Sequence, residues 1–493
     1  MSGGEIATLS NPRFTGMLFN SISFAAFLPL VFCLFWALGR RNFHLQNALL
    51  IVASYVFYGW WDWRFLSLIF ISSLVDFMVG LRISGTEIQH KRKALLIVSL
   101  VVNLGFLGFF KYFNFFIDSA AGLLQSIGLQ PNLPSLRIIL PVGISFYTFQ
   151  TLSYTIDIYR RKMEPTRDPL AFFAFVSFFP QLVAGPIERA KSLLPQFYER
   201  RRFEYDQAVD GLRQMLWGFC KKMVVADQMA PHVQVIFDNA GSLDGVVLLM
   251  GSFFFALQIY CDFSGYSDIA IGVARLFGFN LSRNFAYPYF SRDISEFWHR
   301  WHISLSTWFR DYVYIPLGGS FVPKTRQMLN IFITFTVSGL WHGANWTFVI
   351  WGALNGLYYF PLMILNKQGR FKDIVAAKTF FPTIADALGM AGTFGITLVA
   401  WVFFRADSVM AAGEYLIRMV THPWLDVDHG QYRAAVAYAV APLIIEWFRR
   451  TKQHGLEISD LPRIVRWLIY LLAVLSILIF GKFGSQEFIY FQF

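Results

Sequence analysis

The chain has 493 residues, of which 56% are apolar, 18% aromatic and only 15% charged. A soluble domain carries roughly 25% charged residues, so a chain this poor in charge, with a mean hydropathy of +0.47, cannot cover itself with a polar surface. The net charge of +11 lies in short Lys and Arg clusters between apolar runs, which argues against nucleic-acid binding and is typical of a multi-pass membrane protein in a lipid bilayer.

Apolar runs long enough to form membrane helices recur along the whole chain. A crossing needs about 20 mostly apolar residues. The matching runs are 17–38, 46–60, 65–81, 94–116, 138–158, 172–187, 208–225, 246–261, 269–281, 329–341, 348–365, 388–404, 434–448 and 465–480. Because several are too short to cross alone, we expect an all-α fold with about eleven to thirteen transmembrane helices plus re-entrant and interfacial helices.

The sequence predicts one integral-membrane domain over 17–493, preceded by a polar tail, 1–16. The tail lacks the cationic region of a signal peptide, and no cleavage site follows it, so the first helix is predicted to be retained. Within the domain we expect N-terminal helices in 17–207, a central region with the candidate reactive residues in 208–366, and C-terminal helices in 384–493.

The segment 172–187 is predicted to enter the membrane and return to the same face. Basic clusters at 160–162 and 189–202 should both be cytoplasmic, yet only this segment separates them. Its prolines and glycine suit a broken helix. Irregular backbone at membrane depth is tolerated only when it is buried in protein or lines a wet cavity, so an internal cavity is expected.

His342 lies in the segment SGLWHGANWTF, inside an apolar tract, 329–365, that is too long for one crossing. Gly339, Gly343 and Asn345 interrupt the tract, so two helical segments are predicted to meet at the imidazole. An ionisable group at membrane depth is a functional-site hypothesis by default, and glycine lets a substrate approach the ring closely. The alternative is a neutral structural histidine bonded to a freed backbone carbonyl.

His302 lies in the segment 291–311, which is predicted to form one amphipathic helix. Steps of three and four place on one face Trp298, His302, Leu305, Trp308, Phe309 and Tyr312. The opposite face carries Glu296, Arg300, Thr307 and Asp311, with Glu296 and Arg300 spaced to pair. The alternative is an interfacial helix with an aromatic belt, and that structural role is assigned to His299.

The residues indicate chemistry without a resident metal or cofactor. No zinc-protease helix, nucleophile elbow, Walker loop or dinucleotide fingerprint occurs in the sequence, so no bound metal or cofactor is predicted. A neutral imidazole suits general-base attack of a hydroxyl on an activated acyl group. The residues alone leave acyl transfer and proton-coupled transport open.

The motif RWHISLSTWFRDYVYIPLGG at 300–319, followed by SGLWHGANWTF, resembles the membrane-bound O-acyltransferases, in particular the branch that acetylates bacterial exopolysaccharides such as alginate. The resemblance covers roughly 17–493 and includes further stretches in order. These are LPVGISFYTFQTLSYTIDIYRR at 140–161, FFPQLVAGPIER at 178–189, YCDFSGYSDIAIG at 260–272, FGFNLSRNFAYPY at 277–289 and FIYFQF at 488–493.

The resemblance implies that His342 is the essential catalytic residue, that His302 is its partner, and that the helices enclose a tunnel. It implies a bacterial inner-membrane enzyme that takes an acetyl thioester, such as acetyl-CoA, from the cytoplasm. The acceptor would be an extracytoplasmic polysaccharide, alginate-like or cellulose, reached through an esterase-like partner protein. A more distant branch transfers D-alanine to teichoic acid.

Within this hypothesis His342 acts either as a general base or as a transient acyl carrier, and His302 orients or protonates. We expect six further residues to line the tunnel or meet the substrate: Trp298, Trp301, Trp308, Arg283, Arg292 and Asn345. Arg283, Arg292 and Arg300 would steer an anionic donor, with anchoring at the membrane face as the alternative for at least one of them. For the three tryptophans the alternative is core packing.

Overall fold

The structure is a computed structural model that describes residues 16–39, 42–131, 136, 138–422, 429–483 and 488–491. Within these ranges it is all-helical, with no strand, as the apolar runs predict. The predicted tail, apart from Gly16, and the basic pair Arg40 and Arg41 lie outside the described residues.

The N-terminal part is a bundle in which each predicted run corresponds to helix. Its helices are α1 Ile22–Gly39, α2 Phe43–Asp62, α3 Leu66–Ser84, α4 Gln89–Leu107, α5 Phe113–Ser126, α6 Ile144–Tyr159, α7 Pro169–Ser177, α8 Phe179–Leu182 and α9 Ala190–Leu193. The run predicted at 94–116 spans α4 and α5, which a π-helical turn, Gly108–Tyr112, joins. Only 17% of the apolar window in this stretch is buried in protein, so it forms part of the lipid-facing surface.

The predicted broken segment is broken in the structure. Helix α7 ends at Ser177, and Phe178 leaves helical geometry with φ −51° and ψ 104° before the single turn of α8. The side chains of 171–188 are almost all buried in protein. This burial meets the condition under which irregular backbone is tolerated at membrane depth, and the return to the same membrane face stays a prediction.

The central part surrounds one long, buried helix. Its helices are α10 Tyr205–Phe219, α11 Asp227–Asp238, α12 Gly245–Leu276, α13 Ile294–Arg300, α14 Ile303–Phe309, α15 Lys324–His342 and α16 Trp346–Ile364. The prediction of separate segments at 246–261 and 269–281 is wrong, because α12 runs through both for 32 residues.

Paired charges explain why α12 is continuous. The polar residues that interrupt its hydropathy, Asp262 and Asp268, each receive a lysine ammonium from the π-helical turn Cys220–Ala226. Lys222 bonds Asp262, and the Lys221 Nζ lies 2.6 Å from Asp268 Oδ2. Because lysines neutralise the two carboxylates inside the protein, the helix continues through the core at these positions.

Glycines allow α10 and α12 to cross in direct backbone contact. A Cβ atom at Gly218 would lie 2.5 Å from the Gly265 carbonyl oxygen, and one at Gly265 would lie 2.8 Å from the Gly218 oxygen. Only a residue without a side chain fits at either position. Small residues are the usual means by which membrane helices approach this closely.

Substituting Gly218 with alanine is therefore expected to destabilise the protein by about 1–3 kcal/mol, the usual cost of overpacking a tight contact. The two backbones must separate to admit the methyl group. Thermal unfolding of the detergent-solubilised protein measures the effect. Gly413→Ala is the matched control, because nothing lies within 4 Å of a Cβ at that helical position. Equal unfolding temperatures for the two variants would contradict the packing account.

The C-terminal part contributes α17 Ile384–Arg405, α18 Val409–Thr421, α19 Arg433–Arg449 and α20 Arg463–Phe480. Among the described residues, seven helical stretches are long and apolar enough to cross a membrane. They are Ile22–Gly39, Phe43–Ser84, Gln89–Ser126, Gly245–Leu276, Trp346–Ile364, Ile384–Arg405 and Arg463–Phe480. The fold is that of a polytopic membrane protein, and the total of about eleven to thirteen crossings stays a prediction.

Candidate functional site

The apolar tract at 329–365 divides at His342, as predicted. Helix α15 ends at His342 and α16 begins at Trp346. The two helices pack closely because a Cβ at Gly339 would lie 2.2 Å from the Phe348 oxygen and 3.0 Å from Gly352 Cα. The His342 side chain thus lies at the end of this pair where the chain turns from α15 into α16.

The His342 imidazole is buried among aromatic rings and lines a cavity. Its ring centroid lies 5.0 Å from that of Trp341, 5.0 Å from Trp351, 5.5 Å from Phe404 and 5.8 Å from Tyr490. The side chain is 3% exposed. The cavity measures about 30 Å³, room for about two water molecules. A tunnel through the whole protein stays a prediction.

The prediction of one continuous helix over 291–311 is wrong. Helix α13 ends at Arg300, and His302 has left-handed backbone geometry, with φ 42° and ψ 55°, before α14 begins. The chain leaves helical geometry because two backbone bonds tie it to a neighbouring segment. The Ala286 N–H donates to the Arg300 oxygen, and the Ile303 N–H donates to the Asn284 oxygen. Left-handed geometry in a residue other than glycine is costly and clusters at functional sites.

The predicted polar face of that segment is buried at Glu296 and half-buried at Arg300, Thr307 and Asp311. Glu296 is 2% exposed and lies between the guanidinium groups of Arg292 and Arg300. The predicted Glu296–Arg300 pair exists, but it faces the protein interior, so the segment is not an interfacial amphipathic helix. The His299 Nδ1–H donates to the Ser295 backbone oxygen at 2.6 Å, in keeping with the structural role expected for it.

Hydrogen bonds to Asn284 fix the tautomer of His302. The Asn284 Oδ1 atom accepts the Ser304 N–H at 3.3 Å and the Ser304 hydroxyl at 2.9 Å. A backbone N–H can only donate, so the amide atom facing it is the oxygen. The His302 Nδ1 atom lies 3.1 Å from the same oxygen and must therefore carry the proton. This leaves the Nε2 lone pair of His302 free.

The two imidazoles lie side by side in the protein interior, and we call their shared surroundings the chamber. Of the two, only His342 lines the cavity described above. The ring centroids of His302 and His342 are 6.4 Å apart. Around them lie buried polar atoms with no hydrogen-bond partner among the described residues. These are His302 Nε2, both ring nitrogens of His342, the indole nitrogens of Trp298 and Trp341, and the Tyr490 hydroxyl. Buried polar groups are normally bonded, so this concentration is typical of a site that receives polar substrate atoms or water.

The three predicted tryptophans are all buried, and they differ in their surroundings. Trp298 packs on Trp351 with ring centroids 5.8 Å apart, which places it one ring from His342. Trp301 packs on Trp401 at 5.0 Å. Trp308 stacks on Phe149 at 3.7 Å and donates its indole N–H to the Phe149 backbone oxygen. Trp308 thus braces α14 against α6, and a tunnel-lining role stays a prediction for all three.

The remaining predicted residues do not line the His342 cavity. Arg292 contacts three carboxylates, those of Glu296, Asp373 and Asp386, and its hydrogen bond holds the pKa of Asp373 below its usual range. Asn345 caps α16, because its side-chain oxygen accepts the Thr347 N–H. These contacts are structural.

Arg283 lines a separate polar cavity. Its Nε donates to the Phe285 oxygen, and its guanidinium carbon lies 4.9 Å from the centroid of the Tyr287 ring. Lys221 and Asn284 line the same cavity. Asn284 also bonds His302, so one residue connects this cavity with that imidazole. The position suits the predicted contact with an anionic donor, which stays a prediction.

Three residues of the site were not predicted from the sequence. Asn284 orients His302, and Lys111 and Tyr490 line the His342 cavity. A signal for Lys111 was present, since it is a lone basic residue in an apolar run. Tyr490 belongs to the C-terminal motif FIYFQF, and its neighbour Ile489 is held by an N–H bond to Asp262. No local pattern reveals Asn284.

Comparison with known proteins indicates the family of the chain. The model of the membrane-bound O-acyltransferase family matches residues 57–371. The chain is 36% identical to the "Probable alginate O-acetylase AlgI" of Pseudomonas putida, over 97% of this chain and 100% of that protein. It is 41% identical to the protein of the same name from Pseudomonas aeruginosa, over 80% and 73% of the two chains.

The chain is also similar to a protein whose name gives peptidoglycan, and not alginate, as the acceptor. The chain is 35% identical to the "Peptidoglycan O-acetyltransferase" of Helicobacter pylori, over 82% of this chain and 80% of that protein. Both histidines of the chamber lie within the range that the family model matches. The chain therefore belongs to the membrane-bound O-acyltransferase family, and it is an acyltransferase that spans a bacterial inner membrane several times.

Proposed function

We propose that the chain takes an acetyl group from a cytoplasmic thioester, with acetyl-CoA as the donor, and passes it across the membrane for O-acetylation of an extracytoplasmic polysaccharide. The acceptor polymer is alginate-like or cellulose. The proposal is supported by one observation above all. His342 lines a cavity beside a second imidazole, and neither of its ring nitrogens has a partner among the described residues. It does so in a chain that resembles alginate O-acetylases over its length.

In this proposal His342 is the general base. Its free ring nitrogen takes the proton from the acceptor hydroxyl as the hydroxyl oxygen attacks the thioester carbonyl. A C–O bond forms and the C–S bond breaks, and the imidazolium returns the proton to the departing thiolate. Atoms and charges balance without a metal or a serine nucleophile.

His302 is proposed to assist from the neighbouring position. Its Nδ1–H is committed to Asn284, so only the Nε2 lone pair is available to accept a hydrogen bond within the chamber. It can accept a hydrogen bond from a water molecule, whose second hydrogen then bonds the acceptor oxygen and leaves the hydroxyl proton for His342. The ring separation of 6.4 Å leaves room for such a bridging group.

We also propose that an esterase-like protein outside the membrane completes delivery to the polymer. The His342 imidazole is buried inside the protein, whereas the polymer lies outside the membrane. A separate protein that presents a hydroxyl group and then carries the acetyl group to the polymer would meet this constraint.

Membrane vesicles supplied with acetyl-CoA labelled in the acetyl group test the donor and the acceptor class. We expect label to enter extracytoplasmic polymer and to be released as acetate by mild alkali, and to do so only in vesicles that contain this chain. Label from a D-alanyl carrier protein instead would overturn the donor assignment. Proton flux without any acyl donor would favour the transporter alternative.

A further inference from the structure

Lys111 is a half-buried basic residue that the mechanism above does not use. It is the only charged side chain between Lys93 and Asp118, in the lipid-facing stretch of α4 and α5. A charge at membrane depth is costly, and such residues almost always carry a function with an identifiable partner. No carboxylate forms an ion pair with Lys111 in the described part of the chain, so its partner must be of another kind.

The partners of Lys111 are backbone carbonyls at the C-terminal end of α15, the helix that carries His342. Its Nζ donates to the Trp341 oxygen at 2.8 Å and to the His342 oxygen at 3.0 Å. The neighbouring Tyr112 hydroxyl donates to the Leu340 oxygen at 3.0 Å. Two consecutive side chains of one helix thus bond the last three carbonyls of α15.

The π-helical turn Gly108–Tyr112 makes this double contact possible. Such turns are rare, and they occur often at functional sites because they change the direction of side chains within a helix. Here the turn lies at the junction of α4 and α5, and it presents Lys111 and Tyr112 to α15 together.

The end of α15 needs these donors. The last carbonyls of any helix lack partners inside the helix, and Gly343, the next residue, is extended, with φ −159° and ψ 150°. A cation at a helix C-terminus also interacts favourably with the helix dipole. Neither ring nitrogen of His342 has a partner in the part of the chain that the structure describes, so no hydrogen bond from those residues holds the imidazole in place. Its position depends on ring packing and on where the backbone of the helix end is held.

We propose that Lys111 is a positioning residue for His342. By binding the carbonyls of Trp341 and His342 it sets the place of the imidazole in the cavity that both residues line. This proposal rests on the proposed role of His342 as the base. Displacing a reacting group by about 1 Å can lower the reaction rate about a hundredfold. Loss of the Lys111 contact is therefore expected to lower kcat rather than to weaken binding of the donor.

Lys111→Met tests the proposal, with Lys93→Met as the matched control, because Lys93 is an exposed lysine on α4. Initial rates of acetyl transfer are measured in membrane vesicles over a range of acetyl-CoA concentrations. We expect Lys111→Met to lower kcat by about a hundredfold and to leave KM within about threefold, while Lys93→Met behaves like the wild type. A folded Lys111→Met protein with kcat within about twofold of the wild type would overturn the proposal.

A second variant decides the case if Lys111→Met does not fold. Lys111→Cys is treated with 2-bromoethylamine, which rebuilds a lysine-like ammonium, or with methyl methanethiosulfonate, which adds a neutral group. We expect only the first reagent to restore kcat. Equal recovery with both reagents, or with neither in a folded protein, would overturn the proposal. Treated wild-type protein controls for Cys33, Cys220 and Cys261.

His342→Ala, measured beside these variants, separates this proposal from the proposed function. An active His342→Ala protein would defeat the proposed function itself. An inactive His342→Ala protein beside a fully active Lys111→Met protein would defeat the positioning role alone.

Discussion

His342→Ala is expected to lower acetyl transfer by about three orders of magnitude, within the range that general acid–base catalysis supplies. The substitution removes the imidazole that lines the cavity, which is the only histidine among the described residues that border it. The other basic side chain there, Lys111, is bonded to two backbone carbonyls. Because the ring is held by aromatic packing, the variant leaves a small apolar void and an otherwise intact fold. The measurement is the initial rate of label transfer from acetyl-CoA, at matched amounts of folded protein.

His299→Ala is the control for that experiment. It removes a histidine only a few residues from His302, but its ring is bonded to the Ser295 backbone oxygen and does not line the cavity. We expect its rate to stay within about twofold of the wild type. Comparable losses in the two variants would mean that a general effect on folding, and not the loss of the base, had lowered the rate.

His302→Ala is expected to lower the rate by about a hundredfold, and Asn284→Ala by about tenfold, since Asn284 acts only through the imidazole it orients. Groups that act as a unit are not additive. The double variant His302→Ala/Asn284→Ala should therefore be no slower than His302→Ala alone. Initial rates of the four proteins measure this coupling.

Asn280→Ala is the matched control, because Asn280 lies in the same connection after α12 and bonds Gln207 at the surface. We expect a rate close to that of the wild type. If the effects of the His302 and Asn284 substitutions simply multiplied in the double variant, Asn284 would have a role independent of the tautomer, and the assignment of Nδ1–H would lose its support.

The sequence predicts the fold class and the division between two helices at His342, because both depend on composition and on local interruptions. Apolar runs gave helices nearly everywhere they were expected, and the glycines around His342 correctly indicated a division between two helices. A charge within an apolar tract and a helix-breaking residue are local signals, so no knowledge of distant contacts was needed to read them.

The predictions failed where distant partners decide the local structure. Asp262 and Asp268 looked like the end of a membrane segment, but lysines from another helix neutralise them and α12 continues. The periodicity of 291–311 looked helical throughout, but backbone bonds to 284–286 break the helix at His302. Both errors come from contacts between residues far apart in the sequence, which hydropathy and spacing do not contain.

The residues that complete the chamber were missed for the same reason. Tyr490 reaches His342 from the C-terminal end of the chain, and Lys111 reaches it from a lipid-facing helix. Tyr490 is unremarkable in its own stretch of sequence, and the lone charge of Lys111 does not indicate which residues it contacts. Their role follows from the arrangement of α15 relative to those two segments, which only the folded structure provides.

Transfer across a sealed membrane tests the central claim most directly. The protein is reconstituted in one orientation in vesicles, with labelled acetyl-CoA, which cannot cross the bilayer, on the cytoplasmic side and the acceptor system on the other. The account predicts that label reaches the far-side acceptor with wild-type protein and stays behind with His342→Ala. Label on the far side without His342, or transfer only to acceptors on the donor's own side, would contradict it.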